Sequence, residues 1–411
     1  MSEEDKLKTD LIKQFNKEFS DSPISDIESS ELGEVPGWVD TGNYALNWIS
    51  SKDIHKGLPL GRVVILSGDP GTGKSMIALS MMRQPDIDLI VYLDSEGGGV
   101  TKDFASFLGI DTKKMLYAQI DTIEDLISRM RLIIDTIEKN KSDKKVLMVI
   151  DSISMLSTEK ELDPNAGADM GMRAKLTRSF FKQYARKMQK LKVCCVLPAH
   201  LTMNIGGYGD PKVVSGGTIL GYVPSIEVRF SKVNAESETD KSAIGTSMVK
   251  IRAEIKKSRF GTLGKRVSFD LDMKHGLDRY AGLFDILRDY GFVIPASANW
   301  DEQIKEKTIP KRSSGWWAFK PFDNEQTESL YNRMIKEGLT SSGKFREKQL
   351  KDFARENSWF LDEVQNILNS IYKDDKEEEE KEDKKEDAKL LVEEKKAKKK
   401  KKTSVEITEV A

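Results

Sequence analysis

Cysteine and long apolar runs are both scarce in this chain of 411 residues, which has only two cysteines, Cys194 and Cys195. Because they are neighbours in the apolar run VCCVLPA, we expect buried strand thiols in a reducing compartment, and neither a disulfide nor zinc ligands. No stretch approaches the roughly 18 uncharged apolar residues of a membrane span. The N-terminus MSEEDKLKTDLIKQF is charged throughout and has no apolar signal core. These absences predict a cytoplasmic protein without a membrane partner.

The chain also has almost no excess of either charge. Its formal net charge is −1, although 32% of its residues are Asp, Glu, Lys or Arg. This balance argues against a surface coated in basic groups for nucleic acid, but an average can hide a local patch. The length allows one large domain with appended ends, or two to three smaller domains.

Residues 39–295 have the pattern of an α/β domain. Four continuous apolar runs, RVVILSG, DLIVYLD, KVLMVID and KVCCVLPA, are separated by turns and helical stretches. Such runs are typical of a parallel sheet that is covered on both faces. Three later runs, SIEVRF, SMVKIRAEIK and KRVSFDLD, lie close together and alternate more, which predicts antiparallel strands that extend one edge.

Three further segments flank this core. Residues 1–38 combine an amphipathic helix with a linker, and they are suited to a docking arm. Residues 296–372 surround SSGWWAFKPF with short helical segments and predict a small α/β module. Residues 373–411 form a charged tail that we expect to be disordered, with an acidic block at 373–388 and a lysine block at 389–402. If a basic surface elsewhere in the chain binds DNA, the acidic block is suited to compete for that surface and the lysine block to recruit duplex DNA.

The octapeptide GDPGTGKS at 68–75 matches the phosphate-binding loop G-x-x-x-x-G-K-[ST]. It follows the strand RVVIL and precedes the helical MIALSMMRQ, which is the position that the motif requires. Glycine allows the backbone to wrap a phosphate with its N–H groups and the helix N-terminus facing the oxygens. The predicted nucleotide-binding residues are Gly68, Asp69, Pro70, Gly71, Thr72, Gly73, Lys74, Ser75 and Met76. Lys74 is expected to reach the β- and γ-phosphates, and Ser75 the magnesium ion.

Two carboxylates follow the next strands. Asp151 ends VLMVID, and Glu96 lies just past the end of VYLD. Ligands bind at the carboxyl ends of parallel strands, so both groups are expected beside the phosphates if their strands flank that of the phosphate loop. Asp151 is then the acid that supports magnesium, and Glu96 the base that orients the attacking water, with Asp94 as a competitor for that role.

The fourth strand ends on His200, one of three histidines, and His200 lies at the root of a glycine-rich arm of low charge at 199–221. A lone histidine is often structural, but this one stands at the mouth of the same row of strand ends. A side chain there is suited to contact the γ-phosphate and to transmit nucleotide state into the arm.

A basic helix and two loops are candidates for nucleic-acid binding. Residues 173–192 contain eight Lys or Arg and no acid, which indicates either a phosphate-binding surface or a solvated face that pairs with acids elsewhere. A second loop precedes this helix. Glycine backbone approaches phosphates closely, and methionines can wedge against bases without reading them. Single-stranded nucleic acid, bound without regard to sequence, suits these features.

A series of motifs in order resembles the RecA recombinases over residues 39–295. The series is VDTGNYALNWI…GLPLGRVVILSGDPGTGKS, VYLDSEGGG, VLMVIDSISML, DMGMRAK, PAH followed by GGTILGYVPSIEVRF, and KKSRFG. The sequence is most similar to the bacteriophage UvsX-type branch, which also has DSE, a histidine ending the fourth strand, and KSR.

The resemblance implies roles for particular residues. Lys74 and Ser75 bind triphosphate and magnesium, Glu96 activates water, and Asp151 supports the metal. His200 is the nucleotide-sensing switch, and Phe104 stacks on adenine. Lys257 and Arg259 reach across the subunit boundary to a neighbour's γ-phosphate. The DNA-binding loops fall at about 160–171 and 202–217, with Met170, Gly216 and Gly217 as the best-matched positions. Together with the basic helix and the methionines, the candidate DNA contacts are Met170, Gly171, Arg173, Lys175, Met203, Lys212, Gly216 and Gly217. The N-terminal helix becomes a polymerisation arm.

The expected function is therefore an ATP- and Mg²⁺-dependent strand-exchange recombinase that forms helical filaments on single-stranded DNA and tests duplex DNA for homology. Expected partners include single-strand-binding and mediator proteins, and a viral source would place the protein in the host cytoplasm. A ring-forming helicase on the same core fold and an ATP-gated recombination mediator remain alternatives. Filaments with an ATP analogue and single-stranded DNA favour the recombinase, whereas closed rings favour the helicase.

Overall fold

The computed structural model describes residues 3–20, 24–26, 34–163, 165, 171–204, 210–215, 219–233, 248–311, 314–322, 325–338, 340 and 342–370. The chain divides into two compact units, Met1–Ile286 and Leu287–Ala411. The domain boundaries predicted at residues 39, 296 and 373 stay predictions. Among the described residues, no helix is long and apolar enough to cross a membrane.

The strands are β1 (Trp38–Val39), β2 (Leu58–Pro59), β3 (Val63–Gly68), β4 (Leu89–Asp94), β5 (Met115–Gln119), β6 (Val146–Asp151), β7 (Val193–Met203), β8 (Lys212–Val214), β9 (Ile226–Lys232), β10 (Met248–Ser258), β11 (Arg266–Asp272), β12 (Gly276–Leu277), β13 (Val293–Pro295) and β14 (Trp317–Phe319). The helices are α1 (Glu3–Glu18), α2 (Tyr44–Ser51), α3 (Lys74–Met81), α4 (Lys102–Phe107), α5 (Ile123–Lys139), α6 (Glu159–Leu162), α7 (Met172–Lys190), α8 (Ile219–Tyr222), α9 (Leu283–Asp289), α10 (Trp300–Glu306), α11 (Glu325–Lys336), α12 (Glu347–Glu356) and α13 (358–370). Short 3-10 turns lie at Thr112–Lys114 and Ile153–Met155.

One large sheet forms the centre of the first unit. Its strand order is β12-β11-β10-β9-β3-β7-β6-β4-β5, and β8 pairs with β7. The six strands from β9 to β5 are parallel, and β10, β11 and β12 continue the sheet antiparallel beyond β9. This confirms the predicted α/β fold with a mainly parallel sheet.

Three details of the sheet differ from the sequence prediction. SIEVRF, which was expected to be antiparallel, forms β9, and β9 runs parallel to β3. The fourth strand continues past His200 to Met203, because the chain returns as β8 and pairs with its extension. A short, partly exposed strand, β5, was not predicted, and it pairs with β4 at the edge of the sheet.

The parallel strands are buried on both faces, as their continuous apolar sequences predict. Along β3, Val63 and Ile65 pack in a cluster with Met130 of α5 and Phe181 of α7, and the alternate residue Val64 is equally buried. Cys194 and Cys195 lie fully buried in β7, and burial raises the pKa of the Cys195 thiol to about 12. Both thiols are therefore protonated and unreactive at neutral pH, as the sequence predicts.

The second unit has its own small core. The antiparallel pair β13–β14 and helix α10 contribute Ile294, Trp300 and Ala318 to a buried cluster. The Trp300 indole N–H donates to the Tyr331 hydroxyl at 3.0 Å. This unit contains both strands and helices, and β13 lies within residues 39–295, which the sequence predicts as part of the core. The module at 296–372 stays a prediction.

Candidate nucleotide-binding site and its contacts with the glycine-rich loops

The predicted phosphate-binding loop connects β3 to α3, and two of its glycines are required by geometry. Gly71 and Gly73 have φ angles of 72° and 79°, which residues with side chains rarely adopt. A Cβ on Gly73 would also lie 2.1 Å from the Leu271 side chain. The loop folds around Lys74, whose Nζ donates to the carbonyl oxygens of Gly68 at 3.0 Å and Asp69 at 3.1 Å. The loop is therefore a cradle of backbone around one buried ammonium group.

Asp151 lies beside this cradle. Its pKa is raised, mainly by burial, while hydrogen bonds from Ser75 and from Tyr92 favour its charged form. The Tyr92 hydroxyl donates to Oδ2 at 2.8 Å. Burial also lowers the pKa of Lys74, and the charge of Asp151 opposes that shift. A hydroxyl, a carboxylate and an ammonium group therefore converge where a phosphate–metal pair would bind.

The strand order that places Asp151 beside the phosphate loop differs from the order on which the sequence prediction depended. The prediction required the strands of Asp151 and Glu96 to flank β3, but β7 and β9 are its neighbours. Asp151 is separated from β3 by β7, and Glu96 follows β4, which lies beyond β6. The Ser75 hydroxyl nevertheless lies near enough to Asp151 to lower the pKa of that carboxyl.

The two candidate bases have different surroundings. Asp94 is buried, and its carboxylate accepts hydrogen bonds from the backbone N–H groups of Glu96, Gly97 and Gly99 and from the Tyr117 hydroxyl. Its acceptor sites are used by the loop and by Tyr117 of β5. The Glu96 side chain is 42% exposed. Glu96 is therefore the carboxylate that remains accessible to water and substrate.

His200 connects the site to both glycine-containing loops. It is in register with Gly68 on the neighbouring strand, and its Nε2 lies 3.4 Å from Glu96 Oε1. Its backbone N–H donates to Ser154 Oγ at 3.1 Å, and its carbonyl accepts from the Ser215 N–H at 2.8 Å. Ser154 follows β6 and Ser215 follows β8, so one residue contacts the water-activating candidate and the bases of both loops.

The predicted DNA-contacting residues have several environments. Gly171 precedes α7, Lys175 is exposed on α7, and Met203 is 66% exposed at the end of β7. The Arg173 guanidinium donates to the carbonyls of Ser154 and Leu156, at the base of the first loop. Lys212 is held at the phosphate loop, with Nζ 2.6 Å from Asp69 Oδ2. Met170, Gly216 and Gly217 lie outside the described residues.

The basic helix α7 shows both behaviours that its composition allows. Lys187 forms ion pairs with Asp135 and Glu138 of α5, and these pairs raise its pKa. Lys192, which follows the end of α7, forms an ion pair with Asp143. Other cations of this helix are exposed and form no ion pair with the described residues: Lys175, Arg178, Lys182, Arg186 and Lys190. Their spacing of three to four residues places them along one face.

Lys257 and Arg259 do not join the phosphate site of their own chain. In the register of the sheet, Lys257 of β10 lies opposite Glu227, near the start of β9. Gly68 of β3 lies opposite Phe230, further along β9. Three residues along a strand separate these levels by about 10 Å. The Lys257 ammonium donates to the carbonyls of Gly221 and Tyr222 at 2.7 Å, at the end of α8.

Phe104 lies on α4, and its ring stacks 6.5 Å from that of Phe107, centroid to centroid. The Phe107 ring in turn lies 5.4 Å from His275. An aromatic surface is therefore present at the predicted adenine-binding position.

Some contacts of the site could not be predicted from the sequence. Tyr92 points at Asp151 because β4 and β6 are neighbours, and the Ser67 hydroxyl donates to the buried Glu227 at 2.7 Å because β9 lies beside β3. The strand order that creates these contacts has no local signal. Alternation along β4 does place Tyr92 on the same face as Asp94, which is the one hint the sequence offers.

A phosphate loop between a parallel strand and a helix, with carboxylates at the ends of nearby strands, defines a P-loop ATPase. The RecA N-terminal domain model matches residues 6–278, so the chain belongs to the RecA family. It is similar to Protein RecA of Chloroherpeton thalassium, at 26% identity over 72% of this chain and 82% of the relative. It is also similar to Protein RecA of Nautilia profundicola, at 24% identity over 67% and 75%, and to that of Clostridioides difficile, at 24% over 71% and 77%.

The protein is accordingly an ATP-dependent recombinase of DNA recombination and repair, and its enzymatic activity is a DNA-dependent ATPase. Members of this family bind ATP and DNA and form filaments.

Proposed function

We propose that residues 68–76 bind the triphosphate of ATP, and that Ser75 and Asp151 hold its Mg²⁺ ion. The burial of Asp151 beside the Lys74 cradle, and the influence of Ser75 on the pKa of its carboxyl, support this assignment. Among the described residues no group of three or more His, Cys, Asp or Glu could hold a metal ion. Mg²⁺ suits such a site, because it commonly binds one or two protein oxygens together with substrate phosphates. When bound, it neutralises phosphate charge.

Glu96 orients and activates the water that attacks the γ-phosphate, and His200 reports the state of that site to the DNA-binding loops. The observation that carries this proposal is the 3.4 Å approach of His200 Nε2 to Glu96 Oε1, combined with the backbone bonds from His200 to Ser154 and Ser215. A shift of this imidazole on γ-phosphate binding would therefore move the bases of both loops.

Single-stranded DNA is bound by the loops at 160–171 and 202–217, with Met170, Gly216 and Gly217 as close contacts. Met203 at the rim and the exposed cations of α7 support this role, since phosphate contacts supply sequence-independent affinity. Duplex DNA is then tested by base pairing with the bound strand.

Lys257 and Arg259 act on the γ-phosphate of a neighbouring subunit in the filament. Their distance from the phosphate loop of their own chain supports an action in trans. Hydrolysis then depends on assembled neighbours, as with arginine fingers. Phe104 stacks on the adenine.

The protein belongs to the bacteriophage UvsX-type branch of the family, works in the host cytoplasm, and acts with single-strand-binding and mediator proteins. The DSE and KSR motifs and the histidine at the fourth strand support this branch.

The test is ATPase activity with and without single-stranded DNA, with negative-stain images of the same mixtures. Glu96→Gln should lower the DNA-stimulated turnover number by about 100-fold or more, the usual contribution of a general base. Filaments should still form with ATP, because ATP binding is retained. Glu306→Gln, an exposed change at the end of α10, serves as the control and should retain activity. A Glu96→Gln protein with normal turnover would refute the role of Glu96, and closed rings in place of filaments would refute filament assembly.

A further inference from the structure

Lys212 connects the second glycine-rich loop directly to the phosphate loop. It begins β8, opposite Met203 of β7, and its ammonium lies 2.6 Å from Asp69 Oδ2. The carbonyl of the same Asp69 accepts hydrogen bonds from Lys74 Nζ at 3.1 Å and from the Thr72 hydroxyl at 2.9 Å. The residue that holds Lys212 is therefore itself part of the phosphate cradle.

A second connection runs from Asp210, two residues before Lys212. Asp210 accepts from the Lys212 backbone N–H at 3.0 Å and forms a short ion pair with Arg229 of β9. Arg229 also pairs with Glu227 at 3.1 Å, and Glu227 accepts the hydroxyl of Ser67, the residue before Gly68. The stem of the second loop is thus fixed to the chain on both sides of Gly68.

The two connections differ in how easily they break. Asp210 is itself 42% exposed, but its partner Arg229 is only 16% exposed and also pairs with the 10% exposed Glu227, so releasing Asp210 would remove one of two acids from a largely buried guanidinium. The Lys212–Asp69 pair is 43% and 49% exposed, and such pairs contribute little stability and exchange partners readily. The Asp210 connection is suited to a fixed anchor, and the Lys212–Asp69 pair to an exchangeable contact.

We propose that Lys212 and Asp69 are positioning residues that couple nucleotide binding to DNA binding, separately from His200. Without nucleotide, Asp69 holds Lys212 on the phosphate loop and away from DNA phosphates. A bound triphosphate adds negative charge to the phosphate loop and repels the Asp69 carboxylate. The ion pair between Asp69 and Lys212 then breaks, and Lys212 binds the DNA backbone instead. This inference rests on the proposed role of residues 202–217 in binding DNA.

The experiment measures the dissociation constant of a fluorescent oligothymidylate, with and without a non-hydrolysable ATP analogue, at low salt, where exposed ion pairs are least screened. Asp69→Asn should tighten nucleotide-free binding by about two- to fivefold, in keeping with the strength of an exposed ion pair. The same change in a Lys212→Gln background should have no effect, because no ammonium group remains to be released. Asp69→Glu keeps the charge and should leave nucleotide-free oligothymidylate binding as in the wild-type protein.

Asp88→Asn is the matched control, because Asp88 forms an exposed pair with Lys144 at the opposite end of the parallel strands. It removes the same charge and should not tighten binding. The coupling role is refuted if Asp69→Asn leaves nucleotide-free oligothymidylate binding unchanged. It is also refuted if Asp69→Asn tightens that binding to the same extent in the Lys212→Gln background, or if Asp88→Asn tightens it as much as Asp69→Asn does. These results leave the proposed function intact. If the analogue does not tighten oligothymidylate binding by the wild-type protein, the proposed function fails together with this inference.

Discussion

At the scale of single residues, two carboxylates two positions apart have opposite roles. Asp94 accepts four hydrogen bonds and shapes the loop that presents Glu96, whereas Glu96 keeps its side chain available. Polar groups that are buried and fully bonded contribute to stability, whereas catalytic groups commonly do not. The sequence DSE therefore contains a structural acid and a candidate catalytic base.

This difference predicts different effects of two isosteric substitutions. Asp94→Asn replaces an acceptor oxygen with a donor NH₂ group facing donors, and it should lower the free energy of unfolding by about 1–3 kcal/mol. Glu96→Gln should change it by less than about 0.5 kcal/mol, as is usual for exposed sites. Urea denaturation of the nucleotide-free proteins measures both values. Equal losses in the two variants would contradict the structural role of Asp94.

The sequence predicts single residues at this site better than it predicts their partners. The phosphate loop, Asp151, Glu96 and His200 can be identified because each follows an apolar strand, which is a local signal. The contacts of Asp69 with Lys212 and of Ser67 with Glu227 depend on which strands are neighbours, and that order is decided by packing of the whole sheet. The extension of β7 beyond His200 escapes prediction for the same reason, since its partner β8 comes nine residues later.

At the scale of elements, an edge strand and the apolar side of an amphipathic helix are both left uncovered within the described part of the chain. β5 ends the sheet, and its Leu116 and Tyr117 are exposed. Tyr117 also lines a cavity of about 540 Å³ between β5 and α4. Helix α1 exposes Leu7, Leu11 and Phe15. Edge strands and amphipathic helices are common sites of association, so we expect α1 of one subunit to contribute to contact with the next.

This expectation is tested by substitutions on α1. Leu11→Glu with Phe15→Glu should prevent filament assembly on single-stranded DNA, because both charges would have to be buried at the contact. ATP-analogue binding by the free subunit should be retained. The control is Lys13→Glu, a charge change on the same helix at a residue that is already polar. Negative-stain imaging and light scattering measure assembly, and filaments of normal length in the double variant would exclude α1 from the contact.

At the scale of the whole molecule, a net charge of −1 conceals regions of strong and opposite charge. Five exposed cations follow one face of α7, while residues 373–388 contain 5 Lys and 10 Asp or Glu and residues 389–402 contain 8 Lys and 2 Glu. The tail at 373–411 lies outside the described residues, so only its charge enters the argument. Opposite charges within one chain can compete with DNA or attract it, and salt separates these effects.

Two truncations distinguish the two blocks of the tail. Ending the chain after residue 388 removes the lysine block. If that block recruits duplex DNA, its removal should weaken duplex binding. The slope of the logarithm of the binding constant against the logarithm of salt concentration should then become shallower by roughly 0.9 for each DNA phosphate that the block neutralises. Ending the chain after residue 372 also removes the acidic block and, if that block competes with DNA for α7, should tighten single-strand binding relative to the longer truncation. Both dissociation constants are measured across a salt series. Salt slopes that match those of the full chain would reject both roles, because a charged segment that contacts DNA or its binding surface must change the number of ions released on binding.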